Sequence, residues 1–223
     1  MVPTIILDLD GTVALGDGPI RAYARAIDEV ACPGFEELGL AALREYVEGR
    51  AEHRDGYHAI AAAAQAAGVA DDGLQRAYTL SRERFGTPAA PVSAPSGLAD
   101  FLATLQGRAT VVLATNSPPV GIEEALREWG ALPHFGALHY SVGKPAGLVP
   151  IVRAARAQGP VLSVGDIPEF DLHPAAMHGA DTALVGPSSQ TSGFEATMRG
   201  HTLTDLYDDI SAWVRASRAS SAE

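Results

Sequence analysis

Residues 4–13 read TIILDLDGTV. Residues 3–8 (PTIILD) predict a short strand, and its unbroken apolar run predicts burial on both faces. The run closes on two carboxylates, Asp8 and Asp10, one residue apart, followed by Gly11. Two carboxylate charges about 4 Å apart repel by roughly 4 kcal/mol in a medium of effective dielectric ~20. A strand that ends this way needs positive charge beside it.

From Pro19 to about Gly86 the periodicity becomes helical. PIRAYARAIDEVA, EELGLAALREYVEGR, YHAIAAAAQAAG and DGLQRAYTLSRERFG predict four helices, separated by turn and capping residues. The stretch TPAAPVSAPSG (87–97), with Pro88, Pro91 and Pro95, predicts a stiff extended linker. Beyond it, helical and strand patterns alternate. GLADFLATLQG, GIEEALREWG, GLVPIVRAARAQG, LHPAAMHGA and LTDLYDDISAWVRAS predict helices, while ATVVLATN, ALHYS, PVLSVGD and DTALVG predict strands. Alternation of this kind implies an α/β fold with a doubly wound parallel sheet. The first strand belongs with that array, and the helical block is an insert. The expected boundaries are 1–16 and 92–223 for the α/β core and 17–91 for the helical insert. The small, polar end RASRASSAE is expected to fray.

In an open α/β sheet, ligands sit beyond the carboxyl ends of the strands. The polar residues at those ends are Asp8 and Asp10, then Thr115 and Asn116 after VVLATN, Lys144 after HYSVG, and Asp166 after VLSVG, with Asp171 close behind. Lys144 is the only lysine among 16 basic residues, the rest being arginine. One ammonium cannot neutralise such a cluster, whereas a hard divalent cation with oxygen ligands can. Mg²⁺ typically takes one or two carboxylates and leaves its other positions to water and phosphate oxygens.

Four motifs, DLDGT (8–12), LATN (113–116), the lysine of VGKPAG (142–147) and GDIPEFD (165–171), give the chain a resemblance to the haloacid dehalogenase-like superfamily. Specifically, it resembles the phosphatases that carry a helical cap. The resemblance implies a Rossmann-like core with the cap inserted after the first motif. It implies Asp8 as nucleophile forming an aspartyl-phosphate, and Asp10 as general acid and then base. Thr115, with Asn116 and the neighbouring backbone, would hold phosphate oxygens. Lys144 would offset charge on Asp8 and on the phosphoryl group. Mg²⁺ would be held by Asp8, Asp166 and the backbone carbonyl of Asp10. Asp171 would orient Lys144 or support the metal from outside its ligand set, and Gly11 would permit the tight turn. The family pattern is broken at Ile167-Pro168, where many relatives carry a small polar residue, which leaves Glu169 and Asp171 as rivals for the supporting role. In the insert, Arg50 and Arg54 of EGRAEHRDGYH either read the substrate or belong to a solvated interhelical loop.

The function these residues imply is a Mg²⁺-dependent phosphatase acting on a small phosphorylated metabolite. The alternatives are a phosphomutase on the same core, a dehalogenase, and a non-catalytic binding protein. With 223 residues and 47% of them hydrophobic, the chain can bury a sizeable core. Its net charge of −11 and the lack of clustered Lys and Arg argue against nucleic acid and anionic membranes as partners. No apolar stretch reaches the ~20 residues that span a bilayer. A single cysteine, Cys32, excludes an internal disulfide and suits a reducing cytoplasm, and no secretory signal is expected. Oligomeric state has no signature in the sequence.

Overall fold

The computed structural model describes residues 1–219. The strands are β1 (Thr4–Leu7), β2 (Thr110–Ala114), β3 (Ala137–His139), β4 (Val161–Gly165), β5 (Asp181–Leu184) and β6 (Met198–Arg199). The helices are α1 (Gly18–Val30), α2 (Glu36–Val47), α3 (Gly56–Ala66), α4 (Asp71–Glu83), α5 (Leu98–Leu105), α6 (Ile122–Glu128), α7 (Leu148–Arg156), α8 (His173–Ala176) and α9 (Tyr207–Ala219). The chain divides into two compact units, Met1–Leu15 with Ser93–Pro119 and Glu123–Glu223, and Gly16–Val92 with Val120–Ile122.

The first unit is built on a parallel sheet in the order β3-β2-β1-β4-β5-β6. This is a doubly wound α/β architecture. Strand order reverses between β1 and β4, which makes the ends of those two strands the natural ligand crevice. Every residue of β1 is buried, as a strand covered on both faces requires. On one face Ile6, Val112, Ala114 and Val161 pack with Leu148 and Val152 of α7 and with Ala175 of α8. The alternate residues Ile5, Leu7, Val111 and Leu113 are buried on the opposite face. Pro150 does not interrupt α7, because it falls in the first turn, where the backbone N–H has no intrahelical partner.

Three details differ from the sequence pattern. The helix expected over 172–180 is only four residues long, preceded by a wide turn at Pro168–Leu172. An edge strand, β6, appears where none was expected; two residues are too short to show periodicity. The last helix continues through Ala219, so Arg215–Ala219 of the expected frayed end are helical; residues 220–223 lie outside the described residues. The proline-rich stretch is not simply extended either. A turn at Thr87–Ala90 interrupts it, and Ser93 exchanges backbone hydrogen bonds of 2.8 and 3.0 Å with Leu15.

In the second unit α1 packs mainly on α4, and α2 on α3. Its core joins Tyr23, Ile27, Phe35, Leu43, Ile60, Ala64 and Leu74. Asp55 caps α3, its carboxylate accepting the His58 N–H at 2.7 Å. Arg21–Asp17 and Arg76–Asp72 form exposed i,i+4 ion pairs along the helices. Among the described residues, no helix is long and apolar enough to cross a membrane.

Candidate active site

Just past β1 the chain winds tightly. The Leu9 carbonyl accepts the N–H groups of Thr12, Val13 and Ala14, at 3.2, 2.9 and 2.8 Å. The turn needs Gly11 twice over. Its φ of +86° favours glycine, and a Cβ there would lie 2.4 Å from the Asp166 carboxylate. The backbone after β1 is thereby pressed against the acid that ends β4. A second glycine does the same for Asp171: a Cβ on Gly165 would meet the Asp171 Cβ at 2.3 Å.

Lys144 ties these acids together. Its Nζ donates to Asp8 Oδ1 at 2.6 Å and to Asp171 Oδ1 at 2.7 Å. The other Asp171 oxygen accepts the Ile167 N–H at 3.1 Å, and the Asp171 carbonyl accepts the Ser163 hydroxyl at 2.7 Å. These bonds account for the wide turn at 168–172, which is wound so that Asp171 faces back toward Lys144. The lysine is held from the other side by the loop after β2. Asn116 Oδ1 accepts the Lys144 N–H at 2.7 Å, and the Thr115 carbonyl accepts the Val142 N–H at 3.0 Å.

The loop after β2 also reaches Asp10. The Ser117 hydroxyl donates to Asp10 Oδ2 at 2.6 Å, while the Ser117 N–H donates to Thr115 Oγ1 at 3.0 Å. With its oxygen accepting from Ser117, the Thr115 hydroxyl keeps its own hydrogen for a further acceptor.

Burial governs the charge states. It pushes the Asp8 carboxyl up to about 7; Lys144 pulls it down, but Asp171 and Asp10 add repulsion. Asp166 is raised well above the ordinary carboxylate range, first by burial and then by Asp8, Asp171 and Asp10. Burial alone would lower Lys144, yet the charges of Asp8 and Asp171 and their hydrogen bonds more than reverse this, so the ammonium stays protonated. Lys144 is thus paired with Asp8 and Asp171 at an end of the sheet that also holds Asp10 and Asp166.

No protein-family model matches the sequence, and no curated protein sequence matches it. Solved structures do match. A haloacid dehalogenase-like family hydrolase from Streptococcus pneumoniae superposes with a TM-score of 0.65 at 14% identity, over 94% of this chain and 98% of the other. A phosphatase of that superfamily from Thermococcus onnurineus gives 0.60 at 15% identity, over 94% and 98%. The Bacillus subtilis protein YfnB, in a magnesium-bound structure, gives 0.61 at 18% identity, over 93% and 97%. The chain has the haloacid dehalogenase-like fold.

Within this haloacid dehalogenase-like fold, Asp8, Asp10, Thr115, Asn116, Lys144, Asp166 and Asp171 come together at the carboxyl ends of β1, β2 and β4 and in the loop after β3. Carboxylate oxygens of Asp8, Asp166 and Asp171 lie within 4.8 Å of one another. Oxygen donors at that spacing, with two of the three acids raised by burial and then by mutual repulsion, fit a hard divalent cation. The Asp10 carboxylate is not in that trio, since its Oδ2 turns to Ser117. Asn116 is exposed and spends its carbonyl oxygen on the Lys144 backbone. Glu169 is exposed, whereas Asp171 is buried. Arg50 and Arg54 belong to the helical unit, both exposed, with Arg50 paired to Glu45 and Glu48 and Arg54 to Asp55. Ser117 was not anticipated from sequence. Its one signal is a hydroxyl two residues beyond Thr115, at a strand end already rich in polar groups.

Proposed function

We propose that this chain is a Mg²⁺-dependent phosphatase that hydrolyses a small phosphorylated metabolite through an aspartyl-phosphate on Asp8. The observation that carries the reading is the Lys144 bridge from Asp8 to Asp171, with Asp166 beside it and the second acid, Asp10, one residue beyond Leu9. Asp8 and Asp166, with the backbone carbonyl of Asp10, would hold Mg²⁺. When bound, the ion supplies positive charge to the phosphoryl oxygens and to the crowded carboxylates.

The chain's own residues do the rest. Lys144 keeps one Asp8 oxygen oriented, leaving the carboxylate able to attack phosphorus in line with the leaving group. The Thr115 hydroxyl receives a phosphoryl oxygen. As the Asp8–phosphorus bond forms and the phosphorus–alkoxide bond breaks, Asp10 gives its proton to the alkoxide, which leaves as an alcohol. Asp10, now a carboxylate, takes a proton from water as that water attacks the aspartyl-phosphate. Phosphate departs and Asp8 is regenerated. Asp171 positions Lys144 in this scheme.

The second acid favours this reading over a dehalogenase, because halide needs no proton to leave. A phosphomutase would use the same residues and return the phosphoryl group to its product. The test is a screen of sugar, acid and nucleotide phosphates with Mg²⁺ and with a chelator, reading free phosphate. Phosphate release that needs Mg²⁺ and vanishes in Asp8→Asn is the expected result. Release that persists in Asp8→Asn would overturn the assignment, and phosphoryl return to a sugar without free phosphate would favour the mutase.

A further inference from the structure

We infer that Ser117 is a positioning residue for Asp10, holding its carboxyl group in one orientation during turnover. The inference rests on the phosphatase reading of the same site and adds a residue to it. Ser117 is only 4% exposed and held on every side. Its N–H donates to Thr115 Oγ1 at 3.0 Å, and its carbonyl accepts the Ser141 N–H at 2.9 Å. Pro118 follows it and restricts its backbone to extended geometry. A hydroxyl carried on so constrained a backbone has a defined position, unlike one on a free loop. From there it donates to Asp10 Oδ2 at 2.6 Å.

The contact joins residues 107 positions apart and links two strand ends. The Ser117 hydroxyl therefore sets the orientation in which the Asp10 carboxyl meets the leaving group. Ser117 holds the carboxyl plane, so that the acid does not wander from the leaving group. The two hydroxyls of this loop then have separate work. Thr115 meets the phosphoryl group, and Ser117 meets the acid that protonates the alcohol.

The two roles respond differently to the leaving group. General-acid catalysis contributes about 10²–10⁴-fold, and it matters where the departing oxygen is strongly basic. The test compares kcat/KM, which reports the first half-reaction, for p-nitrophenyl phosphate and for butyl phosphate. Ser117→Ala is expected to lose about tenfold or more on butyl phosphate and under about threefold on p-nitrophenyl phosphate. Thr115→Val is expected to lose the same factor on both. In an Asp10→Asn background, Ser117→Ala is expected to add no further loss, since the two side chains act as one unit. Ser117→Cys keeps the side-chain volume with a weaker donor, and should show the same leaving-group dependence if the alanine variant folds poorly. An equal loss on both substrates, or an added loss in the Asp10→Asn background, would overturn the role of Ser117. Failure of the wild-type chain to release phosphate from either ester would instead overturn the phosphatase reading.

Discussion

Among the described residues, each unit buries one cation almost completely, and the two are handled in opposite ways. Lys144 sits between two carboxylates, its compact ammonium 2.6 and 2.7 Å from their oxygens. Arg82, in the helical unit, spreads its charge over a plane that lies 4.5 Å from the centre of the Phe85 ring and donates to the Tyr57 hydroxyl at 3.1 Å. A delocalised guanidinium stacks on aromatic faces, whereas an ammonium on a flexible stem is a point charge for carboxylates. The contrast extends to the other charges. The strand ends crowd Asp8, Asp166 and Asp171 within 4.8 Å of one another, while the helical unit keeps pairs such as Arg21–Asp17, Arg76–Asp72 and Arg84–Glu29 at its surface. Buried, mutually repelling acids add no stability of their own. Clusters of this kind are enriched at functional sites, where chemistry is favoured over stability.

The sharpest way to break that contrast is Asp8→Asn. Phosphatase activity should fall by about ten-thousandfold or more, because the covalent route is removed. Thermal stability should hold or rise, because one buried like charge is gone. A clear drop in melting temperature would show Asp8 to be structural. Lys144→Met should act the other way, leaving two buried carboxylates without their ammonium. Removing one partner of a buried ion pair costs about 3–5 kcal/mol, readable by urea unfolding. A loss below about 1 kcal/mol would mean that the acids shed their charge at little cost.

Gly11→Ala tests the packing of backbone on acid. The substitution forces a left-handed φ on alanine and puts its Cβ into the Asp166 carboxylate, so Asp166 must move. A cost above about 1 kcal/mol from strain is expected, together with weaker Mg²⁺ dependence of activity. Unchanged activation by Mg²⁺ would separate Asp166 from the metal.

The raised Asp8 carboxyl gives a signed pH effect. Its folded value is about 7 against 3.8 ordinarily, so without added Mg²⁺ the folded state retains a proton that the unfolded chain releases. Stability from this group is therefore complete below about pH 4 and lost as pH rises through about 7. Asp8→Asn lacks that dependence. The difference in unfolding free energy between variant and wild type should grow in the variant's favour over this range and level off above it. Mg²⁺ at a hundred times its dissociation constant should stabilise the wild-type chain by about 2.7 kcal/mol near neutral pH, and Asp166→Asn should abolish that gain.

The strand ends were legible because their chemistry is local. An apolar run followed by Asp8 or Asp166, and a solitary Lys144, can be read without knowing what they touch. The glycines at 11 and 165 are local signals too, although their reason, the close approach of Asp166 and Asp171, is visible only in three dimensions. Ser117 was illegible for the converse reason, since its partner is 107 residues away and no periodicity links them. The four helices of the insert could be read from spacing and caps, whereas the two-residue β6 could not. The grouping of Val120–Ile122 with the helical unit rather than with the sheet also leaves no trace in composition.

Arg50 and Arg54 lie at the far end of the comparison, and the smallest effect is expected there. Arg50 is 56% exposed in its side chain and shares its charge between Glu45 and Glu48, and Arg54 pairs with its neighbour Asp55. Exposed pairs of this kind are worth about 0–1 kcal/mol, so alanine at either position should leave unfolding within about 0.5 kcal/mol of wild type. Solvated arginines already occupied by local acids also predict KM values within about twofold of wild type across a panel of phosphate esters. A tenfold rise in KM for one ester class, with stability unchanged, would move these arginines from the solvated surface into substrate recognition.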